Sequence, residues 1–204
     1  MKKIGLLLLV MMPLTIWGQE LKQTGTSAEA VVPEGWTCQS AYGDMNKDGI
    51  KDMVLIAYSS DKAVAPLLAV YWGAGSNTYR LWRKYANVLS ACDVEYTEQT
   101  YEVAVTPKGV LKIEGQTFHS MGGWNNEQET CLFRYQQGDF YLIGKETETL
   151  SRNTGIAEKV SNNYLTHKQQ IQKYSVMAEV DYKARESWKS LPKEPLKKLA
   201  DCSM

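Results

Sequence analysis

Several features that define common protein classes are missing from this sequence of 204 residues. Basic residues are not in excess, because Lys and Arg together number 23, as do Asp and Glu, and the formal net charge is zero. Lys197-Lys198 is the basic run that stands out, and it is short. Nucleic-acid binding requires a cluster of positive charge, so nucleic acid is not an expected partner.

The sequence is also poor in the residues and motifs that carry catalysis. It has two histidines, His119 and His167, and no Cys-x-x-Cys pair, so a zinc site is not expected. No serine occupies a Gly-x-Ser-x-Gly elbow, and strand-type segments do not alternate with helical ones. The sequence therefore favours a protein that is not an enzyme, with no catalytic residue and no organic cofactor assigned.

Long apolar runs are absent except at the N-terminus, where residues 1–18 have the pattern of a secretory signal peptide. Lys2 and Lys3 precede an apolar stretch over residues 4–16, which is shorter than the roughly 20 residues that a spanning helix needs. Gly18 suits the position before cleavage, so the mature chain is expected to start at Gln19. We expect a periplasmic or secreted protein without stable membrane insertion after cleavage; an uncleaved anchor is the alternative.

The four cysteines lie in the predicted mature chain. An even number in an exported protein predicts up to two disulfides, with three possible connectivities that spacing does not resolve. Free buried thiols are the alternative, because a domain of this size does not need disulfides for stability. The cysteines concerned are Cys38, Cys92, Cys131 and Cys202.

The most informative segment that is present runs from residue 44 to residue 52. Oxygen-bearing side chains occupy alternate positions, Gly49 follows where a loop must turn sharply, and a further carboxylate comes after it. Such spacing allows a chain to wrap a calcium ion. The predicted ligands of Ca²⁺ are the side chains of Asp44, Asn46, Asp48 and Asp52 and the main-chain carbonyl of Ile50. A polar turn that binds no metal is the alternative, since Asp, Asn and Gly are common in turns.

This loop is not an EF-hand, because position 12 is Leu55 rather than Glu, and strand-type residues flank the loop. It resembles the calcium loop of the integrin-α type repeat, also called the FG-GAP or VCBS repeat, in which Gly-Asp-x-Asn-x-Asp-Gly-x-x-Asp leads directly into an apolar strand. The resemblance covers about 15 residues and occurs once, so it implies a structural calcium site and not a complete propeller.

Beyond the loop, short apolar or alternating segments are separated by Gly-rich and Pro-containing turns. Hairpins are predicted from 101–105 to 110–113 and from 130–135 to 140–144, and a further pair from 147–152 to 156–164. We predict a mostly β fold: an antiparallel meander of about 8–10 strands, closed as a barrel, a sandwich or propeller-like blades, with a short irregular C-terminal tail. Residues 19–34 are predicted as a flexible lead-in, and residues 35–204 as a single domain.

A second resemblance rests on the stretch from Cys131 to Gly144, CLFRYQQGDFYLIG, followed by Asn162-Asn163-Tyr164-Leu165-Thr166. The pattern is similar to that of a group of exported bacterial proteins, many from Bacteroidetes, that carry one calcium loop near the N-terminus. The resemblance spans roughly residues 35–170. It implies export and one continuous domain, and it implies no particular activity.

The segment from Phe118 to Asn126 contains the best candidates for ligand contacts. Trp124 follows two glycines, and exposed aromatic side chains form platforms for sugars or partner proteins. His119 is a further candidate contact, with a solvent-exposed loop histidine as the alternative. Trp72 and Trp82, by contrast, lie in predicted strands and are expected in the core.

The preferred hypothesis is an exported, calcium-stabilised and non-catalytic β domain that binds a protein or glycan at the cell envelope. The alternative is a secreted or periplasmic hydrolase that uses loop residues around His119 and Glu127, with Glu129 or Asp139 drawn into the same pocket. A periplasmic inhibitor or assembly factor is a third reading that no particular residue favours.

Overall fold

The computed structural model describes residues 20–61, 63–91, 93–94, 96–121, 124–177 and 183–204. The predicted signal peptide and Cys92 lie outside these residues. The described chain is mostly β, with two antiparallel sheets, which confirms the predicted fold class. In the described ranges no helix combines the length and apolar character needed to cross a membrane.

The first sheet has five strands in the order β1-β5-β4-β3-β2, and a short helix, α1, lies between its first two strands in the chain. The bounds are β1 Thr24–Gly25, α1 Ala28–Val31, β2 Thr37–Gly43, β3 Asp52–Tyr58, β4 Leu67–Gly73 and β5 Tyr79–Tyr85.

The second sheet follows in the chain and has eight strands in the order β13-β12-β11-β10-β9-β8-β7-β6, each paired antiparallel with its sequence neighbour. One of the two sheets is curled as a half-barrel. The bounds are β6 Asp93–Val94, β7 Thr97–Val105, β8 Val110–His119, β9 Asn125–Gln136, β10 Asp139–Ser151, β11 Ile156–Asn163, β12 Lys168–Ser175 and β13 Arg185–Ser190.

The first sheet is covered on both faces, which explains why β3 is a continuous apolar run and not an alternating one. Its inner face packs against the second sheet through Val54 and Ile56, and its outer face carries Met53 and Leu55. The outer face is covered by the N-terminal segment, whose buried side chains are Leu21, Ala28, Val31 and Val32. The sequence predicts a flexible lead-in here, but in the structure the apolar side chains of this segment complete a second core on the outer face of the first sheet.

The inner core lies between the two sheets. The second sheet contributes Leu111, Phe133 and Phe140, all with no exposed surface. At one end of this core four aromatic rings pack with centroids 4.8–6.1 Å apart, from Trp72, Trp82, Tyr135 and Phe140. The core position expected for Trp72 and Trp82 agrees with this packing.

The second sheet is longer than the core that it covers. Past Cys131 on β9 and Gly144 on β10, the paired strands continue with half-exposed polar side chains, and β11 to β13 extend the same surface. Among the residues of these three strands, Ala157 alone is buried. We call this part of the second sheet, formed by residues 125–130, 145–151, 156–175 and 185–190, the extension.

The C-terminal segment returns from the extension to the inner core. The N–H of Leu142 donates to the carbonyl of Lys197, and Leu199, in a 3-10 turn from Leu199 to Asp201, is fully buried. The carbonyl of Met204 accepts hydrogen bonds from the Tyr101 hydroxyl and the Ser90 hydroxyl. The predicted irregular tail is therefore an integral part of the packed domain.

Candidate functional site

The predicted calcium loop connects β2 to β3 and is closed by the cross-strand pair Gly43 and Asp52. Two residues in it have left-handed backbone conformations, Lys47 at φ 65° and Gly49 at φ 86°. Glycine adopts this region without steric cost, which explains its place at the sharp turn. The loop is thus a compact connection within a hairpin and has no flanking helices, as the sequence predicts.

Three of the predicted ligand side chains turn into the loop and accept hydrogen bonds from its backbone. The N–H of Asp48 lies 3.2 Å from Asp44 Oδ1 and 3.0 Å from Asn46 Oδ1, so both oxygens share one donor. Asp44 Oδ2 accepts from the Gly49 N–H at 3.0 Å, and Asp48 Oδ1 accepts from the Ile50 N–H at 2.8 Å. The side-chain oxygens of Asp44, Asn46 and Asp48 are therefore gathered on one side of the loop.

Asp52 has different surroundings. It has no exposed surface, and its Oδ2 accepts from the N–H groups of Met45 and Asn46 at 2.8 and 3.4 Å. Its Oδ1 accepts from the N–H of Gly73 on β4 at 3.0 Å. Burial raises the pKa of Asp52, while these three backbone donors act in the opposite direction. The carboxylate thus ties the start of the loop to β3 and β4, and its coordination of a metal stays a prediction.

The donor set of the loop suits calcium, which prefers carboxylate, amide and carbonyl oxygens. Asp48 supplies an exposed carboxylate, Asp44 supplies a half-buried one, and Asn46 supplies an amide oxygen. In the described part of the chain no three side chains of His, Cys, Asp and Glu gather as a metal cluster. The predicted set relies on Asn46 and on the main chain of Ile50 as well, so calcium binding stays a prediction.

The loop is wedged between the two sheets. Met45 is buried in the inner core, and a Cβ placed on Gly109, in the turn between β7 and β8, would lie 2.4 Å from the carbonyl oxygen of Asp44. A Cβ on Gly43 would lie 2.5 Å from Cγ1 of Val105. The backbone of the loop is therefore in close contact with the second sheet, and order in the loop is coupled to the packing of the sheets.

The residues of the hydrolase hypothesis are only partly brought together. His119 and Glu127 lie on the same face of the sheet, because Glu127 is paired with Thr117, two residues from His119. Asp139 lies at the opposite end of β9 and β10, roughly 30 Å from Glu127 at the rise of a β-strand. It forms ion pairs with Arg83 and Lys198, while Glu129 forms one with Lys145 at 2.7 Å.

His119 and Trp124 lie at the far end of the second sheet, beside several exposed apolar side chains. Nδ1 of His119 is 3.1 Å from the Thr97 hydroxyl, and the carbonyl of Trp124 accepts from the Arg152 N–H at 2.7 Å. Near this strand end the exposed large apolar residues are Tyr96, Phe118, Met121 and Trp124, with Trp124 exposed by 67%. We call these four residues the aromatic tip.

The extension and the adjoining part of the second sheet also carry a concave groove that sequence reasoning missed. The groove has a volume of 860 Å³ and is lined by side chains from β8 to β13, including Glu114, Glu146, Lys159, Gln170 and Trp188. Its residues are polar at every second position. In the sequence, these strands therefore show no row of apolar residues on either face. Such a pattern is hard to distinguish from that of an ordinary solvated strand.

The described cysteines carry free thiols, so the predicted disulfides among them are not formed. Cys38 packs against the outer core of the first sheet, whereas Cys131 and Cys202 adjoin the inner core on its other side. The first sheet therefore separates Cys38 from the other two. Burial raises the pKa of the Cys131 thiol far above its ordinary value, which makes it a poor nucleophile. Pairing with Cys92 lies outside the described residues.

No family model, no curated protein and no solved structure matches this chain. The resemblances to the calcium-loop repeat and to the group of exported proteins accordingly stay predictions from the sequence.

Proposed function

We propose that this protein is an exported, non-catalytic binding domain that is stabilised by calcium and recognises a protein or glycan at the cell envelope. The observation that carries the proposal is the extension of the second sheet. Its strands are fully paired with their neighbours, yet its side chains build no core. A sheet that is ordered but leaves both faces open offers an extensive surface for a ligand.

The aromatic tip supports the same proposal. Exposed aromatic side chains are enriched at binding surfaces because they combine a large apolar area with little conformational freedom to lose. Trp124 and Phe118 are both well exposed and sit at one end of the long sheet. Arg152 lies over the Phe118 ring, 4.9 Å from its centroid, and holds this side chain in place.

Calcium has a structural role in this proposal. The loop from Asp44 to Asp52 contacts both sheets, through Gly109 on one side and Gly73 on the other. An ion bound by Asp44, Asn46, Asp48 and the main-chain carbonyl of Ile50 would offset the repulsion between the carboxylates of Asp44 and Asp48. Calcium would thereby stabilise the junction of the sheets without taking part in a reaction.

The non-catalytic part of the proposal is supported by the state of the carboxylates. Asp139 and Glu129 are held in ion pairs, and Asp139 is at the other end of the sheet from His119. General acid and base groups must lie within reach of one bond in the substrate, which this arrangement does not provide for Asp139.

The test is thermal unfolding of protein purified after export of the full-length chain, with calcium and with EGTA. Binding to the folded state alone stabilises by about 2.7 kcal/mol at a hundredfold excess over Kd. We expect Tm to rise with calcium in the wild-type protein and to stay constant in the Asp48→Ala variant.

Asp61→Ala is the matched control, because Asp61 also lies in an exposed turn and accepts a backbone hydrogen bond two residues on. This variant should keep the calcium response. Identical melting curves with calcium and with EGTA in the wild-type protein would overturn the role of calcium in the proposal.

A further inference from the structure

We propose that the concave groove of the second sheet binds an acidic oligosaccharide, one with carboxylated sugar units. This inference rests on the proposed function as a binding domain, and it names the ligand class and the surface. The groove is distinct from the aromatic tip, since its walls are the middle of β8 to β13 and the tip is at one strand end.

A row of polar side chains crosses the floor of the groove. The register places six residues side by side on six neighbouring strands: Glu114, Thr130, Glu146, Ser161, Gln170 and Trp188. With strands about 4.8 Å apart, the row is roughly 24 Å long. Its first four members alternate carboxylates, which accept hydrogen bonds, with hydroxyls, which also donate them, as sugar hydroxyls do.

The polar groups of this row are held in fixed positions by one another. The Ser161 hydroxyl donates to Glu146 Oε2 at 2.7 Å, and Lys159 lies 2.6 Å from Glu146 Oε1. The Thr130 hydroxyl donates to Glu114 at 3.3 Å. Burial acts to raise the pKa of Glu146. The hydrogen bonds from Lys159 and Ser161 outweigh burial and hold this pKa below its usual range. Groups ordered before binding lose little freedom when a ligand arrives.

A neighbouring row contains a gap that deepens the groove. It runs through Lys112, Leu132, Gly144 and Asn163 to Lys168. Gly144 has no side chain where every other strand supplies one, and the register shifts beside it, between Leu142 and Gly144. The groove is therefore hollow at its centre, with Leu132 and Asn163 on either side.

The charge of the lining favours an anionic ligand. On the groove face its cations are Lys112, Arg134, Lys159 and Lys168, and its carboxylates are Glu114, Glu146 and Glu148; Lys145 borders the groove but shares the opposite face with Cys131. Three of the lysines are ion-paired, Lys112 with Glu114, Lys159 with Glu146 and Lys145 with Glu129. Within the described residues Arg134 and Lys168 have no ion pair, and the register places both toward one end of the groove, Lys168 in the row of Gly144 and Arg134 beyond it.

Trp188 provides an apolar platform at the edge strand. The side chain is 59% exposed, and its indole N–H donates to Glu186 Oε1 at 2.6 Å. Gln170 donates to the same oxygen at 3.1 Å, so the ring is anchored while a face stays open. An aromatic face presented in this way stacks against the C–H face of a sugar ring.

A sugar chain fits this surface better than an acidic peptide. The groove has few aliphatic side chains, Leu132, Ile143 and Leu165, and no deep apolar pocket to hold the side chains of a peptide. It also lies on the face of the sheet, where backbone N–H and C=O groups are already paired, so a peptide cannot add as a strand there.

The test is affinity electrophoresis of the purified protein through gels that contain polyglucuronate, polymannuronate or hyaluronan. The carboxyl-reduced form of each polymer is the neutral reference. We expect retardation by at least one polyuronate and much weaker retardation by its reduced form. Trp188→Ala should weaken binding about tenfold, and Trp188→Tyr should restore most of it, because an aromatic face remains.

The contribution of the two cations that have no ion pair is tested in the same gels with the double variant Arg134→Gln and Lys168→Gln. It should bind polyuronate about tenfold more weakly and lose most of the difference between the acidic and the reduced polymer. Lys108→Gln and Tyr42→Ala, which lie outside the groove, are the matched controls and should bind as the wild-type protein does. Trp188 lies on an exposed edge strand, so Tm should be the same in its variants.

Binding to none of the three polyuronates would overturn the inference, as would equal retardation by the reduced polymers. So would unchanged binding in Trp188→Ala, or release by oligoglutamate as readily as by a free uronate oligomer. A calcium-dependent Tm together with no polyuronate binding would leave the proposed function standing with another partner. Binding without a calcium effect would instead remove calcium from the proposed function.

Discussion

The first sheet and the extension of the second sheet are opposites in burial. In β3 every residue from Asp52 to Ala57 is buried, whereas in β13 every residue is exposed. The first sheet is covered by the second sheet on one face and by the N-terminal segment on the other. The extension has neither cover, although its backbone pairing is just as regular.

This difference separates two contributions to a β structure. Backbone pairing gives the extension its shape, but burial of apolar area is the dominant source of folding free energy. The covered part therefore stabilises the domain, and the extension is available for recognition. The effects of substitutions in the two parts should differ in size accordingly, and four predictions test the comparison.

The largest effect is expected for Phe133→Ala in the inner core. The side chain has no exposed surface, so its removal leaves a cavity and should lower the free energy of unfolding by about 3–5 kcal/mol. Ile171→Ala on β12 is the counterpart in the extension, where the side chain is half-exposed, and should cost about 1 kcal/mol or less. Urea unfolding measures both; equal losses would contradict the division into a core and an extension.

The next effect concerns the contact between the calcium loop and the second sheet. Gly109→Ala combines a backbone at φ 73° with a Cβ 2.4 Å from the Asp44 carbonyl oxygen, and should destabilise by about 2–3 kcal/mol. Gly138→Ala has a similar backbone, at φ 78°, but an added Cβ meets nothing within 4 Å, so it should cost about 1 kcal/mol. The difference in Tm between the two variants measures the cost of the contact between the added Cβ and the calcium loop. Similar decreases of Tm in both variants would show that the loop moves away from the added Cβ without loss of stability.

A smaller effect is expected where a charge network joins the two sheets. Burial acts to raise the pKa of Asp139, but hydrogen bonds from Arg83, the Phe140 N–H and Lys198 outweigh burial and lower it from the ordinary value of 3.8. Asp139→Asn should cost about 1–2 kcal/mol at neutral pH, a value limited by the exposure of the Arg83 partner.

The sign of the pH dependence follows from the lowered pKa. The carboxylate contributes its full stability above the unfolded value, and the contribution is lost as pH falls through the folded value. The stability difference between wild type and Asp139→Asn should therefore be constant down to about pH 5 and shrink below the ordinary value of 3.8. A difference that grows in acid would contradict the ion pair with Arg83.

The smallest effect is expected at the aromatic tip. Trp124 is exposed by 67%, so Trp124→Ala should change the free energy of unfolding by less than about 0.5 kcal/mol. Urea unfolding of this variant beside Phe133→Ala compares the two kinds of aromatic residue directly. A loss above about 1 kcal/mol would show that the tip is part of a core and not a free surface.

Much of the covered part could be predicted from the sequence. The apolar run of β3, the strand after it and the hairpins around Gly109 and Gly138 have clear strand and turn signals, and the structure has strands at each of them. In the predicted calcium loop, the structure also gathers the side chains of Asp44, Asn46 and Asp48 as the spacing implies.

The extension and the outer core were harder to predict for physical reasons. β12, with the sequence KQQIQKYS, has polar residues on both faces, so its apolar pattern gives no period. The residues predicted as a separate strand over 147–152 instead continue β10, because the chain passes Gly144 with a local shift of register and not with a turn. The lead-in looked polar as a whole, and its few apolar residues gain meaning only from the sheet that they cover.

The path of the C-terminal segment has a consequence for the timing of folding during synthesis. Leu199 completes the inner core, and the Met204 carbonyl is bound by the hydroxyls of Tyr101 and Ser90, about a hundred residues earlier in the chain. A nascent chain that has not yet reached Leu199 lacks one wall of that core. The inner core therefore cannot close while the second sheet is still being made, and the two sheets are locked together only after Leu199 has been added.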